Sequence, residues 1–185
     1  MRLVVKYGGT SISSPEDIRS VAGYISSLSS RNQVVVVCSA TAGTTDDLIG
    51  ISESIKKGNR SKAEQITLRI VHRHIDLAKK TIERPAVCTK LLDRLDHNFA
   101  QLRALIDGMM LLGEITPRTM DYLFSFGERL SIQLIASSVS DRGKRAVQFT
   151  GKAVGIVTDS NFGESKPLIS HISSALMQDP IMVAV

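Results

Sequence analysis

Two hydrophobic periods alternate along this chain. Leu3-Val4-Val5 and Val34-Val35-Val36-Val37-Cys38 are short continuous apolar runs, and between them Ile18, Val21, Ala22, Ile25 and Leu28 recur at helical spacing. The pattern predicts a buried strand from Arg2 to Tyr7, a helix opened by Ser14 with Pro15 at its first position, and a second strand from Gln33 to Cys38. A strand made almost wholly of valine suits the centre of a parallel sheet, covered on both faces. Ser39 to Thr45 reads as a loop, with Thr44 or Thr45 placed to cap a helix through Leu48, Ile49 and Ile55.

The middle of the chain changes character. Ser61 to Glu83 and Val87 to Gly113 carry long helical patterns broken at Arg84-Pro85, which predicts a helical hairpin over about residues 60–113. Helical spacing resumes after Pro117 and runs to Ser140, with a break expected at Gly127. Asp141-Arg142-Gly143-Lys144 turns the chain into a strand from Ala146 to Phe149. A short strand at Ile156 to Thr158 is expected next, then a loop from Asp159 to Pro167 and, after Asp179-Pro180, the start of another buried strand at Ile181 to Val185. The fold class is therefore α/β: an open, mainly parallel sheet between helices, carrying a helical-hairpin insertion. Both βα loops fall at the carboxyl ends of their strands, where open α/β sheets bind ligands.

Composition narrows the partners. A chain of 185 residues with 43% hydrophobic content can form one sizeable core. Its apolar runs fall far short of the roughly 20 residues that span a bilayer, so no membrane partner is expected. Met1-Arg2 leads into a strand without a secretory cleavage pattern, and Cys38 and Cys88 lack metal or redox spacing, so the expected location is cytoplasmic. A net charge of +5 suits an anionic ligand, but the basic residues are dispersed, and three tyrosines, five phenylalanines and no tryptophan offer little stacking surface. Nucleic acid is not an expected partner.

Three segments can carry chemistry. Lys6-Tyr7-Gly8-Gly9-Thr10-Ser11 places a lysine, two glycines and two hydroxyls between strand and helix, either as a phosphate cradle or as an ordinary turn. It is not a Walker P-loop, because the lysine precedes the glycines. A lysine ending a buried strand would favour an anionic partner. Ser39-Ala40-Thr41-Ala42-Gly43-Thr44-Thr45 offers hydroxyls and N–H groups either to a carboxylate or to simple capping. Glu128, in Ser125-Phe126-Gly127-Glu128-Arg129-Leu130-Ser131, either meets a cationic group, stays solvated or pairs with Arg129. His72, His74, His97 and His171 have no partners at ligand spacing and read as core or surface residues.

Together, Lys6 to Ser11, Ser39-Ala40 with Thr45, Phe126-Gly127-Glu128-Arg129-Leu130-Ser131 and Thr158-Asp159-Ser160-Asn161-Phe162-Gly163 closely resemble, in order, the motifs of aspartate kinases. The resemblance implies the amino-acid kinase fold and transfer of the γ-phosphoryl group of ATP, with Mg2+, to the side-chain carboxylate of L-aspartate. This is the first step towards lysine, threonine and methionine. It implies that Lys6 is catalytic, that Lys6, Tyr7, Gly8, Gly9, Thr10 and Ser11 face the phosphates, and that Thr45, Glu128, Ser39 and Phe162 serve the substrate. A homo-oligomer is also expected. The family's Gly-Arg-Gly-Gly-Ser-Asp loop, nucleotide-base pocket and ACT domains have no counterpart in these residues. The chain is therefore expected to be an N-terminal, aspartate-binding part that is inactive alone. The alternatives are a noncatalytic amino-acid-binding or assembly module and a kinase for another small acid such as acetylglutamate.

Overall fold

The computed structural model describes residues 1–153 and 155–168, together with the backbone of residues 181–184. His171, Asp179-Pro180 and Val185 lie outside the described residues. The elements run β1 (Arg2–Tyr7), a single 3-10 turn (Gly9–Ile12), α1 (Pro15–Leu28), β2 (Gln33–Cys38), α2 (Thr44–Lys56), α3 (Arg60–Thr81), α4 (Pro85–Leu112), α5 (Pro117–Asp141), β3 (Val147–Phe149) and β4 (Ile181–Ala184). The four strands form one sheet in the order β1-β2-β4-β3, and every pairing is parallel.

Register brings the carboxyl ends of the strands to one edge. Tyr7 pairs with Cys38, Val37 with Ala184, and Ala184 with Phe149. The segments that follow β1, β2 and β3 therefore leave the sheet side by side.

β1 departs from the expected buried strand. Its positions alternate, with Arg2, Val4 and Lys6 exposed, Val4 at 69%, while Val5 and Tyr7 pack against the core. β2 matches its valine-rich sequence more closely: Val34, Val35, Val36 and Cys38 are all buried. The described helices cover the face shown by Val5, Val34, Val36 and Cys38.

Local chemistry starts and stops the helices. Ser14 caps α1 through a reciprocal box with Asp17, with Pro15 at the first position. The same hydrogen bonds, from Ser14 first and then Ser13, hold the Asp17 carboxyl below its usual range. Thr116 and Thr119 form the equivalent box on α5. α5 runs unbroken through Gly127, contrary to the expected break.

α3 and α4 form the predicted hairpin. Arg60 at the start of α3 pairs with Asp107 near the end of α4, 2.7 Å apart, which fixes them antiparallel. Leu91, Leu95, Phe99, Leu102, Ile106 and Met109 make α4's buried stripe at spacings of three and four, each side chain contributing roughly 1.5–3 kcal/mol by burial. Asp141, the last residue of α5, accepts from the backbone N–H groups of Glu83 (2.9 Å) and Arg84 (3.0 Å) and so ties the hairpin's connection to the main body.

The expected strand at Ile156 to Thr158 does not form. Thr158 makes one isolated antiparallel bridge to Pro167, flanked by Leu168 N–H to Val157 O (2.8 Å) and Asp159 N–H to Lys166 O (3.0 Å). Residues 158–167 thus close into a loop. The exposed neighbours Ile156, Val157 and Thr158 join no strand of the sheet among the described residues.

Candidate functional site

Three segments converge on Ala40 at the carboxyl edge of the sheet. A Cβ on Gly9 would stand 2.8 Å from the Ala40 carbonyl oxygen, and a Cβ on Gly127 would stand 2.7 Å from the Ala40 methyl. Real Cβ atoms do not approach so closely, so glycine at both positions is a packing requirement. The Ser39 N–H also donates to Tyr7 O at 3.1 Å, which joins the loops after β1 and β2 directly. Gly9, Ala40 and Gly127, one residue from each of the first three sequence motifs, thus meet in one place.

Within that convergence the side chains divide. Lys6 is exposed on the side of β1 that also carries Arg2 and Val4, so the argument from a buried lysine does not hold. Tyr7 turns to the opposite, helix-covered face, where its hydroxyl is buried without a hydrogen-bond partner among the described residues and burial raises its pKa. Gly8 and Gly9 carry the chain into the 3-10 turn, closed by Ser11 N–H to Gly8 O at 3.0 Å, and Thr10 and Ser11 stand exposed.

The loop after β2 is built by long-range bonds. α2 is capped not by Thr44 or Thr45 but by Gly43, whose φ of 74° is the left-handed region that glycine adopts without strain. The Thr41 and Thr44 hydroxyls are both buried, 2.8 Å apart. Thr41 Oγ1 also lies 3.1 Å from His74 Nε2 on α3, and His74 Nδ1 lies 2.8 Å from the Ile70 carbonyl. Arg73 donates to Thr44 Oγ1 at 3.4 Å. Arg73 and Arg69 both face the buried Asp47 carboxylate. Arg69 Nε donates to Oδ1 at 2.9 Å, whereas Arg73 approaches Oδ2 at 2.8 Å as an ionic contact without hydrogen-bond alignment. Thr45, one residue on from this anchored pair, is exposed in the first turn of α2, and Ser39 is half-buried.

Glu128 lines a hollow with Gln101, Tyr122, Ser125, Thr150 and Lys152. The alternative local pair of Glu128 with Arg129 is absent among the described residues. Arg129 instead donates to Gln101 on α4 and lies 4.3 Å from the Phe126 ring centroid. Phe162 lines the adjoining hollow, which shares Tyr122, Ser125 and Lys152. Its loop is fastened to α5 by Gly163 N–H to Asp121 at 2.8 Å and by Arg118, 5.7 Å over the Phe162 ring. Lys6 is not among the residues lining either hollow.

Sequence reasoning passed over two features. Thr150-Gly151-Lys152 follows β3 at the same sheet edge, and the position of a small, polar loop directly after a parallel strand was the available signal. His74 had no local signal, because its partner Thr41 lies 33 residues away.

Comparisons with known proteins identify the family and the fold. The model of the amino acid kinase family matches residues 1–183. Aspartokinase 1, chloroplastic, of Arabidopsis thaliana is 32% identical over 162 residues, covering 86% of this chain and 27% of its own length. Aspartokinase of Saccharomyces cerevisiae is 32% identical over 155 residues, covering 78% and 29% respectively. The chain spans less than a third of the length of these curated relatives. Among solved structures, E. coli aspartokinase III in complex with aspartate and ADP matches the whole chain and 40% of its own, with a TM-score of 0.83 at 21% identity, a likeness of fold.

Proposed function

Given that this chain belongs to the amino acid kinase family, we propose that it is the acceptor-binding part of an aspartate kinase, which transfers the γ-phosphoryl group of ATP to the side-chain carboxylate of L-aspartate. The observation that carries this reading is the close packing of Gly9 and Gly127 on Ala40, which brings the Lys6 to Ser11 loop, the Ser39 to Thr45 loop and the helix bearing Glu128 together. The likeness to aspartokinases supports aspartate as the acceptor, and the solved E. coli aspartokinase III is in complex with aspartate and ADP.

The chemistry asks little of the protein in proton transfer. A side-chain carboxylate with a pKa near ~3.9 is already ionised at neutral pH and needs no general base. The barrier lies in bringing two anions into line. Lys6, exposed where β1 meets the Gly8-Gly9 turn, supplies the positive charge, and the backbone N–H groups of that turn supply donors to the phosphates. Thr10 and Ser11 support the turn, and Tyr7 contributes backbone alone. Thr45 donates to an acceptor carboxylate, with Ser39 beside it, while Glu128 accepts from the substrate ammonium and Phe162 closes the adjoining hollow. Mg2+ brought with ATP would add to the charge that Lys6 offers the phosphates.

The chain covers well under half of its relatives, so the rest of the nucleotide site is assigned to further residues of a longer, homo-oligomeric, cytoplasmic enzyme. The product, 4-phospho-L-aspartate, leads to lysine, threonine and methionine. The test is a coupled assay of the full-length protein with MgATP and L-aspartate, with acetylglutamate and glutamate as competing acceptors. Aspartate-dependent ADP release is expected. Turnover with acetylglutamate in its place would reassign the acceptor, and aspartate binding without turnover would leave a binding module.

A further inference from the structure

Within the acceptor site just proposed, the Ser39 to Thr45 loop does not hold its own shape. Its two buried hydroxyls answer to α3, and the direction of their bonds follows from chemistry alone. The Ile70 carbonyl can only accept, so the His74 nitrogen 2.8 Å from it, Nδ1, carries a proton. In the neutral ring Nε2 then has a lone pair and accepts from Thr41 Oγ1. Having given its proton to His74, Thr41 accepts from Thr44 Oγ1. Thr44 accepts from Arg73, which has no other choice. The relay therefore runs one way, from Arg73 through Thr44 and Thr41 to His74 and out to Ile70 O.

Two consequences bear on a ligand. Both buried threonine hydroxyls are committed inward, which leaves Thr45, at the start of α2, as the exposed hydroxyl of the loop, beside the half-buried Ser39. The Asp47 carboxylate, one helical residue beyond Asp46, is neutralised by Arg69 and Arg73, so a ligand carboxylate meets less repulsion there. We infer that His74 is a positioning residue for the acceptor: as the fixed hydrogen-bond acceptor for Thr41, it holds the Ser39 to Thr45 loop in the geometry that presents Thr45 to the substrate carboxylate. The helical hairpin then serves the site as its support.

This inference rests on the acceptor reading, and the experiment separates the two. In the full-length protein, KM for aspartate, KM for ATP and kcat are measured for His74→Phe, His74→Gln, Thr41→Val and the double variant His74→Phe/Thr41→Val, with Thr45→Ala and Glu128→Ala alongside. Phenylalanine keeps a ring against Phe99 but cannot accept. His74→Phe and Thr41→Val are each expected to raise KM for aspartate about tenfold with KM for ATP held within about twofold, the double variant being no worse than either single change. His74→Gln, whose amide can accept from Thr41, is expected to recover part of the loss. If His74→Phe fails to fold, Thr41→Val, nearly the same shape, carries the test. Unchanged aspartate KM in Thr41→Val and His74→Phe, or a parallel change in both KM values, overturns the positioning role while losses in Thr45→Ala and Glu128→Ala keep the site. No effect in any variant overturns the site and the inference with it.

Discussion

Gly127 lies so near Ala40 that a β-carbon at position 127 would stand 2.7 Å from the Ala40 methyl, with Leu48 Cδ1 3.5 Å away. α5 pays no visible cost for this glycine, since the helix runs through it unbroken. What it gains is direct contact between the helix bearing Glu128 and the loop after β2. Gly127→Ala should normally strengthen a helix by about 1 kcal/mol. Here the methyl meets a fixed neighbour, so a net loss of about 1–3 kcal/mol is expected from overpacking. Urea denaturation measures it, and a stabilised variant would refute the close packing.

Gly9 makes the matching contact at the other atom of Ala40, its carbonyl oxygen. A methyl there cannot be absorbed by side-chain motion, because the obstacle is backbone. Gly9→Ala is expected to displace the turn after β1 and weaken nucleotide binding. Gly8→Ala, whose added methyl meets nothing within 4 Å, is expected to do so much less. Fluorescent nucleotide titration of the full-length protein compares the two, and equal losses would show that the Ala40 contact is immaterial.

Lys6 and Glu128 separate the two halves of the proposed chemistry. Lys6→Ala is expected to lower kcat by a factor on the order of 10² or more, with a small effect on aspartate affinity, because charge neutralisation matters most where the phosphoryl group is in flight. Glu128→Ala is expected to raise the aspartate Kd by about tenfold or more, as one charge-assisted bond to an ammonium is lost. Steady-state kinetics and calorimetry on the full-length protein check both, and near-normal turnover of Lys6→Ala removes the phosphate assignment.

The two cysteines should differ in reactivity. Cys38 is buried at the end of β2, and burial pushes its thiol up to about 12, so almost no thiolate exists at pH 8. Cys88, on the first turn of α4, is half-buried. A thiol reagent is expected to label Cys88 in the native protein and Cys38 only after denaturation. Rapid native labelling of Cys38 by peptide mapping contradicts its placement.

The order of elements was legible because local rules decided it. An all-valine run made β2 with its predicted limits, Ser14-Pro15 opened α1, and Arg84-Pro85 divided the hairpin. The errors arose where a distant residue overruled the local rule. Thr44 looks like a cap, but its hydroxyl is tied into the relay through Thr41 to His74, and Gly43 takes the cap. Gly127 looks like a break, but Ala40 requires it. Lys6 looks buried within an apolar strand, yet one face of β1 is open. Its candidate role survives on position, and the burial argument does not.

His74 gives the chain a pH dependence with a definite sign. Burial, reinforced by the Arg73 charge and opposed by the Ile70 carbonyl and Asp47, depresses it from 6.5 to about 4. Protonation would make Nε2 a donor, reverse the bond to Thr41 and leave one of the two buried threonine hydrogens without an acceptor in this network. Between those two values the unfolded chain binds the proton that the folded one refuses, so stability present above pH 6.5 is lost as pH falls towards 4. At 1.36 kcal/mol per unit the loss from this group is roughly 3 kcal/mol. Carboxylates titrate in both wild type and His74→Phe, and their contribution cancels in the difference between the two. Urea unfolding of both proteins from pH 7.5 to 4 is therefore expected to show wild type losing its advantage steadily below pH 6.5, while a difference that stays constant across that range would mean that His74 is not held neutral by the fold.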